Sequence, residues 1–223
     1  MITVFLPCRA GSDRVINKNT RPFLNKNTSL LSIKLKQLLN VKNIDNIIVS
    51  TNDKLVIEIC KEISKKIIID KRPENLALSS TSTDDLISYV PKIINEGIVL
   101  WTHTTSPFID EITYNEAINL YLKFTKEKTY DSLMTVNKIQ TYLWHANESY
   151  NYDRTMEKWP RTQTLKQLFE VNSGIFINSI DNFRKFKDRI GVKPFMMQLN
   201  HYQSFDIDWP DDFKFAEKLF ELR

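Results

Sequence analysis

Residues 2–23 read Ile-Thr-Val-Phe-Leu-Pro-Cys-Arg-Ala-Gly-Ser-Asp-Arg-Val-Ile-Asn-Lys-Asn-Thr-Arg-Pro-Phe. The first five are apolar and β-prone, and Pro7 ends them. A polar loop follows at once, with Arg9, Arg14, Lys18, Arg21, Gly11 and Ser12. A strand that runs straight into a cationic, glycine-bearing loop commonly receives phosphate at the carboxyl edge of an α/β sheet. Gly11 is one of only four glycines in 223 residues. Its place directly after the first strand favours a phosphate site over a merely solvated basic loop.

Outward from that strand, strand and helix patterns alternate. Leu31, Leu35, Leu38 and Leu39 recur at helical spacing, with Asn27 or Thr28 in position to cap. Residues 46–50 form a short buried strand. Val56, Ile59, Cys60 and Ile63 make the apolar face of a helix capped by Asn52 or Asp53. Strands are predicted at 66–69, 98–102 and 132–136. Leu86, Val90, Ile93 and Ile94 mark one helix, and Ala117, Leu120, Tyr121 and Phe124 another. The pattern predicts an α/β fold: a mostly parallel, doubly wound, Rossmann-like sheet with helices on both faces. Its ligands would sit beyond the carboxyl ends of the strands.

The rhythm breaks between about residues 139 and 168. Tyr142, Trp144, His145, Tyr150, Tyr152 and Trp159 crowd a polar stretch there. Such aromatics are costly to leave in water, so an inserted extension that meets a partner surface or walls a ligand is expected. A strand returns at 172–177 and a short helix at 181–186. The last helix starts near Pro210, with Asp208 as its cap, and buries Phe213, Ala216 and Phe220. One domain, 1–223, carrying this insertion accounts for the chain.

Hydrophobic residues make up 42%, enough for a large core and too many for a disordered chain. The formal charge of +4 is spread, with no like-charge block resembling a nucleic-acid arm. Cys8 and Cys60 lie far apart, without metal-ligand spacing, and read as reduced thiols of a cytoplasmic protein. The opening residues lack a basic leader, and no apolar run approaches a membrane span. No membrane or nucleic-acid partner is expected.

Four blocks carry chemistry. The first is the loop just described. The second is Asp206-Ile207-Asp208. In a strand the two carboxylates share a face, and their repulsion is relieved by a hard divalent cation with phosphate oxygens. Asp208 can cap the last helix at the same time. The third is Arg72-Pro73 with Leu76-Ala77, followed by hydroxyls at Ser79, Ser80, Thr81, Ser82 and Thr83. That run serves as a helix cap or as a set of fixed donors and acceptors for a nucleobase. The fourth is His103-Thr104-Thr105-Ser106-Pro107, placed at the carboxyl edge of a central strand. His103 there is as readily structural as functional, and no second His or Cys is spaced to bind zinc with it.

Taken together these blocks resemble the CMP-sugar synthetase family, the CMP-sialic acid synthetases (acylneuraminate cytidylyltransferases) and their CMP-KDO relatives. Arg9, Ser12, Arg14 and Lys18 match the family's first loop, and Asn19 matches the Asn that follows its Lys. Asp13 and Ile16 replace a usual Lys and Pro. Arg72-Pro73 and Leu76-Ala77 resemble its cytosine loop, and Thr83 falls on a base-contacting Ser. Thr105-Ser106-Pro107 matches a Thr-Ser-Pro motif in which His103 replaces a sugar-binding Gln. Arg161, Gln163 and Leu165 resemble an Arg-x-Gln-x-Leu. Asn172-Ser173-Gly174 stands for Asn-Gly-Ala. Asp206 and Asp208 match its metal-binding Asp-x-Asp.

The resemblance implies transfer of CMP from CTP to a 2-keto-3-deoxy sugar acid of sialic acid type, with release of pyrophosphate. It implies that Arg9, Arg14 and Lys18 act on the triphosphate, with Gly11 and Ser12 in the cradle. It further implies that Arg72, Thr83 and Asn19 recognise cytosine, and that His103, Arg161, Gln163 and Phe176 line the sugar site. Asp206 and Asp208 are implied to hold Mg²⁺, and Asp208 to be essential to catalysis. A homodimer through the aromatic extension is implied as well. Within the class, KDO, pseudaminic acid or legionaminic acid are alternative substrates. Outside it, a nucleotide-sugar glycosyltransferase also uses Asp-x-Asp, and a nucleotide-binding relative without turnover is a third reading. The late position of Asp206 and the Arg-rich first loop argue against the glycosyltransferase.

Overall fold

The computed structural model describes residues 1–222. Strand β1 is Ile2–Pro7, and its side chains alternate between two cores. Val4 and Leu6 point to one face, which buries helices α1 (Leu30–Leu39), α2 (Lys54–Ile63) and α4 (Glu111–Lys126). Phe5 points to the other, where it meets Trp101, Val90 of α3 (Thr83–Ile93) and Phe183 of α5 (Ile180–Phe186). Burial on both faces is why these strands read as continuous apolar runs.

The remaining strands of the sheet are β2 (Asn46–Thr51), β3 (Ile67–Lys71), β4 (Ile98–Thr102), β5 (Ser132–Ile139), β8 (Leu168–Ser179) and β9 (Pro194–Gln198). Their order is β3-β2-β1-β4-β8-β5-β9. All neighbours run parallel except β8, which is antiparallel to both β4 and β5. The order reverses beside β1, whose neighbours are β2 and β4, so the sheet's switch point, where such sheets place their ligands, lies at the carboxyl ends of β1 and β4. Between β5 and β8 the chain makes its excursion. It carries a short hairpin, β6 (Trp144–His145) with β7 (Glu148–Ser149), and leaves Trp144, Tyr150, Met156 and Trp159 exposed.

A third core lies outside the sheet. Val15 and Phe23 of the first loop, Leu30 and Ile33 of α1, Phe108, Ile207, and Phe213 and Ala216 of α6 (Pro210–Glu221) pack together. Phe23 meets Phe213 and Phe220 edge to face, at 5.3 and 5.6 Å between ring centres. This cluster fixes the first loop against the C-terminal segment.

Several local expectations are corrected. Ser29 caps α1, not Asn27 or Thr28: its hydroxyl accepts from the Ser32 amide at 3.1 Å, and the Ser32 hydroxyl accepts from the Ser29 amide at 2.8 Å. Trp209, not Asp208, is the capping position of α6. The Asp212 carboxylate accepts from both the Trp209 and Asp208 amides, at 2.7 and 3.0 Å. Residues 204–208 form no strand. Ser204 closes a turn and 205–208 are irregular, with the Ile207 amide donating to the Thr105 carbonyl at 3.0 Å. Strand β9 has no counterpart in the sequence reading, because an edge strand that opens on Pro194 and is half exposed lacks a buried run.

Candidate active site

The first loop leaves the sheet at Cys8, whose amide donates to the Ser50 carbonyl at the end of β2 (2.9 Å). The Asn52 side chain holds it from below by accepting from the Ala10 amide at 2.9 Å. Gly11 then adopts φ +67°, a left-handed conformation that glycine enters without steric cost. Arg9 turns back on the loop and pairs with Asp13 at 3.1 Å. Asp13, the residue that departs from the expected loop pattern, therefore offsets part of the Arg9 charge. Ser12 is half-buried, and Ile16 is exposed.

Arg14 and Lys18 reach the far end of the chain. Arg14 Nη2 lies 2.7 Å from Asp208 Oδ1, and its guanidinium lies over the Trp209 ring at 5.1 Å. Lys18 Nζ donates to the Ile207 carbonyl at 2.7 Å and lies 3.7 Å from Asp208 Oδ1. Burial draws the Lys18 ammonium below its ordinary range, while Asp208 and Asp206 oppose the shift. Asp208 is free to meet these cations because Asp212 serves the start of α6 in its place.

Asp206 is the more enclosed carboxylate. Burial raises its pKa, and the charge of Asp208 raises it further, against hydrogen bonds from Thr105 and Ser106. The Ser106 hydroxyl donates to Oδ1 at 3.3 Å. Such a crowded pair fits a hard divalent cation, which relieves both desolvation and repulsion. No group of three or more His, Cys, Asp or Glu side chains is arranged for a metal among the described residues. Two carboxylates alone suit Mg²⁺, which usually keeps water and substrate phosphate in its other positions.

Ser106 belongs to the turn after β4, and a buried lysine holds that turn. Lys34 of α1 is fully buried and donates to the Ser106 carbonyl (2.8 Å), the Ile109 carbonyl (3.2 Å) and the Tyr114 hydroxyl (2.8 Å). Asn19 ties the same turn to the first loop, since its Oδ1 accepts from the Thr104 hydroxyl at 2.6 Å. That amide oxygen is therefore spent inside the protein. Gly174 of β8 allows the sheet to close beneath the turn. A Cβ there would lie 2.6 Å from Ile109 Cδ1 and 2.8 Å from Thr135 Oγ1.

Arg72, at the end of β3, is buried. Its Nε donates to the Ser50 hydroxyl at 3.1 Å and its Nη2 to the Ser50 carbonyl at 2.7 Å. The Ser50 hydroxyl passes the contact on to Asp70, at 2.6 Å. Thr83 is exposed at the first position of α3, where the Ser82 hydroxyl does the capping by accepting from the Asp85 amide. The hydroxyl-rich run thus caps a helix.

His103 accepts a hydrogen bond at Nε2 from the Trp101 indole N–H, at 2.9 Å. An indole nitrogen only donates, so the imidazole is neutral and carries its proton on Nδ1. Burial pushes its pKa down to about 3, helped by Arg189, Lys18, Arg72 and Lys34. With its lone pair occupied, His103 is not set up as a proton acceptor.

Arg161 and Gln163 lie exposed in the extension, and among the described residues only their carbonyls make hydrogen bonds. Neither side chain makes a hydrogen bond or ion pair with the first loop among the described residues. Phe176 is buried opposite Trp101 in the sheet. Its outer face is covered by the guanidinium of Arg189, 3.7 Å from the ring centre. Arg189 has no signal in the sequence, where it is one cation in a charged stretch. Lys34 has none either, because helical spacing does not distinguish a buried lysine from a surface one.

A family model described as cytidylyltransferase matches residues 3–223. The chain belongs to that family. Among curated relatives, the N-acylneuraminate cytidylyltransferase of Streptococcus agalactiae serotype V is 24% identical over 217 residues, covering 93% of this chain and 50% of the relative. The same-named protein of Escherichia coli O18:K1:H7 is 24% identical over 221 residues, covering 96% and 51%. The chain therefore spans about half the length of the curated relatives it matches. Among solved structures, this cytidylyltransferase fold superposes on a CMP:2-keto-3-deoxy-manno-octonic acid synthetase complexed with CTP. The TM-score is 0.70 at 14% identity, over 99% of this chain and 98% of that one. A 4-diphosphocytidyl-2C-methyl-D-erythritol synthase from Anaerococcus prevotii gives 0.64 at 16% identity, over 99% and 96%.

Proposed function

We propose that the chain transfers CMP from CTP to a 2-keto-3-deoxy sugar acid and releases pyrophosphate. The observation that carries this reading is the meeting of Arg14 and Lys18 with Asp208, 2.7 and 3.7 Å apart, across almost the whole length of the sequence. Cations that suit a triphosphate and carboxylates that suit its metal thus come together beside the switch point of the sheet.

In the proposed reaction the anomeric hydroxyl oxygen bonds to the α-phosphorus as the bond to the bridging oxygen of pyrophosphate breaks, and the hydroxyl proton is released. Arg9, Arg14 and Lys18 neutralise charge on the departing pyrophosphate, and amides around Gly11 and Ser12 add to the cradle. Release of Arg9 from Asp13, and of Arg14 from Asp208, supplies those cations when nucleotide arrives. Asp206 and Asp208 are the residues that would hold Mg²⁺. Bound there, the ion supplies charge to phosphate oxygens and acidity to the attacking hydroxyl. Arg72 and Thr83 face the base in this reading, while the internal bond of Asn19 suits it to holding the loop. The exposed tryptophans and tyrosine of the extension support a homodimer, the arrangement that would cover them. The two free, buried cysteines are consistent with a reducing, cytoplasmic setting.

A pyrophosphate-release assay with CTP, Mg²⁺ and a panel of nonulosonic and octulosonic acids tests the proposal. CTP-dependent release with one of the acids, absent with UTP or ATP, is expected. No release with any acid overturns it.

A further inference from the structure

Arg189 stands in the irregular segment between α5 and β9. Its guanidinium carbon lies over the Phe176 ring, 3.7 Å from the ring centre, and 5.5 Å from that of Trp101. No carboxylate comes within ion-pair distance of it, and its N–H groups make no hydrogen bond among the described residues. Burial lowers its pKa, and Asp188 next to it only partly offsets the cost. The buried side-chain atoms without a partner among the described residues are Gln37 Oε1 and Asn178 Nδ2, so the unpaired Arg189 donors open to solvent, where an incoming acceptor can reach them.

His103 follows the end of β4, two residues beyond Trp101, and Arg189 is the charge that acts on it most. The His103 Nε2 is taken by Trp101, which leaves Nδ1–H as a second donor. The charges that bear most on His103 are all cationic: Arg189, Lys18, Arg72 and Lys34. The wall at the carboxyl end of β4 is thus rich in donors and positive. The carboxylates of Asp206 and Asp208 act on Lys18, Asp208 at 3.7 Å.

We propose that Arg189, with His103 beside it, is a substrate-binding residue that takes an oxygen-acceptor group of the sugar acid and so determines which acid is accepted. The inference rests on the proposed reaction. Contact with the Phe176 and Trp101 rings restrains the guanidinium, so it meets a carboxylate or an acyl oxygen with less loss of freedom. Arg161, exposed in the extension, has no such support. A sugar acid offers two groups of this chemistry, its carboxylate and the carbonyl oxygen of an acylamino substituent.

The test compares wild type, Arg189→Met and Arg189→Lys by pyrophosphate release. It uses the acid turned over best and its analogue with hydroxyl in place of acylamino, or with acylamino in place of hydroxyl. Met keeps the apolar stem and removes the charge; Lys keeps the charge and removes the fork. The expected result for Arg189→Met is a KM for the acid raised roughly ten- to a hundredfold, with KM for CTP within about twofold of wild type. A rise on both acids assigns the carboxylate, and a rise confined to the acylated acid assigns the acyl oxygen. Should Arg189→Met fail to fold, Arg189→Lys carries the test, with an expected rise of about tenfold. An unchanged KM for the acid, or equal rises in both KM values, overturns the assignment. A wild-type protein that releases no pyrophosphate with any acid overturns the underlying reaction instead.

Discussion

Replacing His103 with Gln should make the protein less sensitive to acid. The imidazole protonates at about 3 in the folded chain against an ordinary value of 6.5, chiefly because it is buried and next because Arg189 is near. Below pH 6.5 the unfolded chain therefore binds a proton that the folded chain refuses. The stability conferred by the neutral imidazole is full above pH 6.5 and is lost as the pH falls towards 3. At pH 5 the unfolded imidazole is almost fully charged and the folded one almost fully neutral. Relative to pH 7 the folded state then loses about 2 kcal/mol from this residue, rising to roughly 4 kcal/mol at pH 3. A Gln side-chain oxygen can still accept from the Trp101 indole but does not titrate. Urea unfolding at pH 7, 6 and 5 should show the gap in stability between His103→Gln and wild type shifting by about 2 kcal/mol in favour of the variant. Parallel pH profiles for the two proteins would refute the neutral, enclosed imidazole.

Four further outcomes follow from named contacts. Asp208→Ala should abolish turnover while thermal unfolding moves little, since a half-exposed pair with Arg14 is worth about 0–1 kcal/mol; retained turnover would sink the metal assignment. Asp206→Asn should raise the melting temperature of the ligand-free protein while removing activity, because an acid whose pKa is raised by folding opposes folding once ionised. A lower melting temperature would contradict that sign. Lys34→Met should cost about 2–4 kcal/mol in urea unfolding, as two buried carbonyls and the Tyr114 hydroxyl lose a donor. It should also raise KM for CTP through the turn that carries Ser106, and unchanged stability would show that water replaces the ammonium. Trp144→Ser with Trp159→Ser should give a monomer by light scattering, and a wild-type monomer at micromolar concentration would remove the dimer from the proposal.

Much of the layout is written in local pattern. Val4, Leu6, Leu31, Leu35 and Leu38 repeat at strand and helix spacing because each element buries a fixed face. The cap of α1 was less legible: Asn27, Thr28 and Ser29 are all good capping residues, and only the reciprocal bond with Ser32 selects among them. Direction in the sheet was not legible for β8 either. An apolar run records burial on two faces, not which way the strand runs. The return of the chain from the extension decides it.

The site divides along the same line. Residue type and order alone brought forward the loop of Arg9, Gly11, Arg14 and Lys18 and the pair Asp206 and Asp208, because phosphate and metal chemistry demand those groups and such groups are rarely clustered by chance. Tertiary structure decided what each of them meets. It released Asp208 from the helix start by giving that task to Asp212, and spent the Asn19 oxygen on Thr104. It closed His103 onto Trp101, left Arg161 in solvent and laid Arg189 over Phe176. These are facts of distance between segments far apart in the chain, set by how three cores pack, and no short stretch of sequence encodes them.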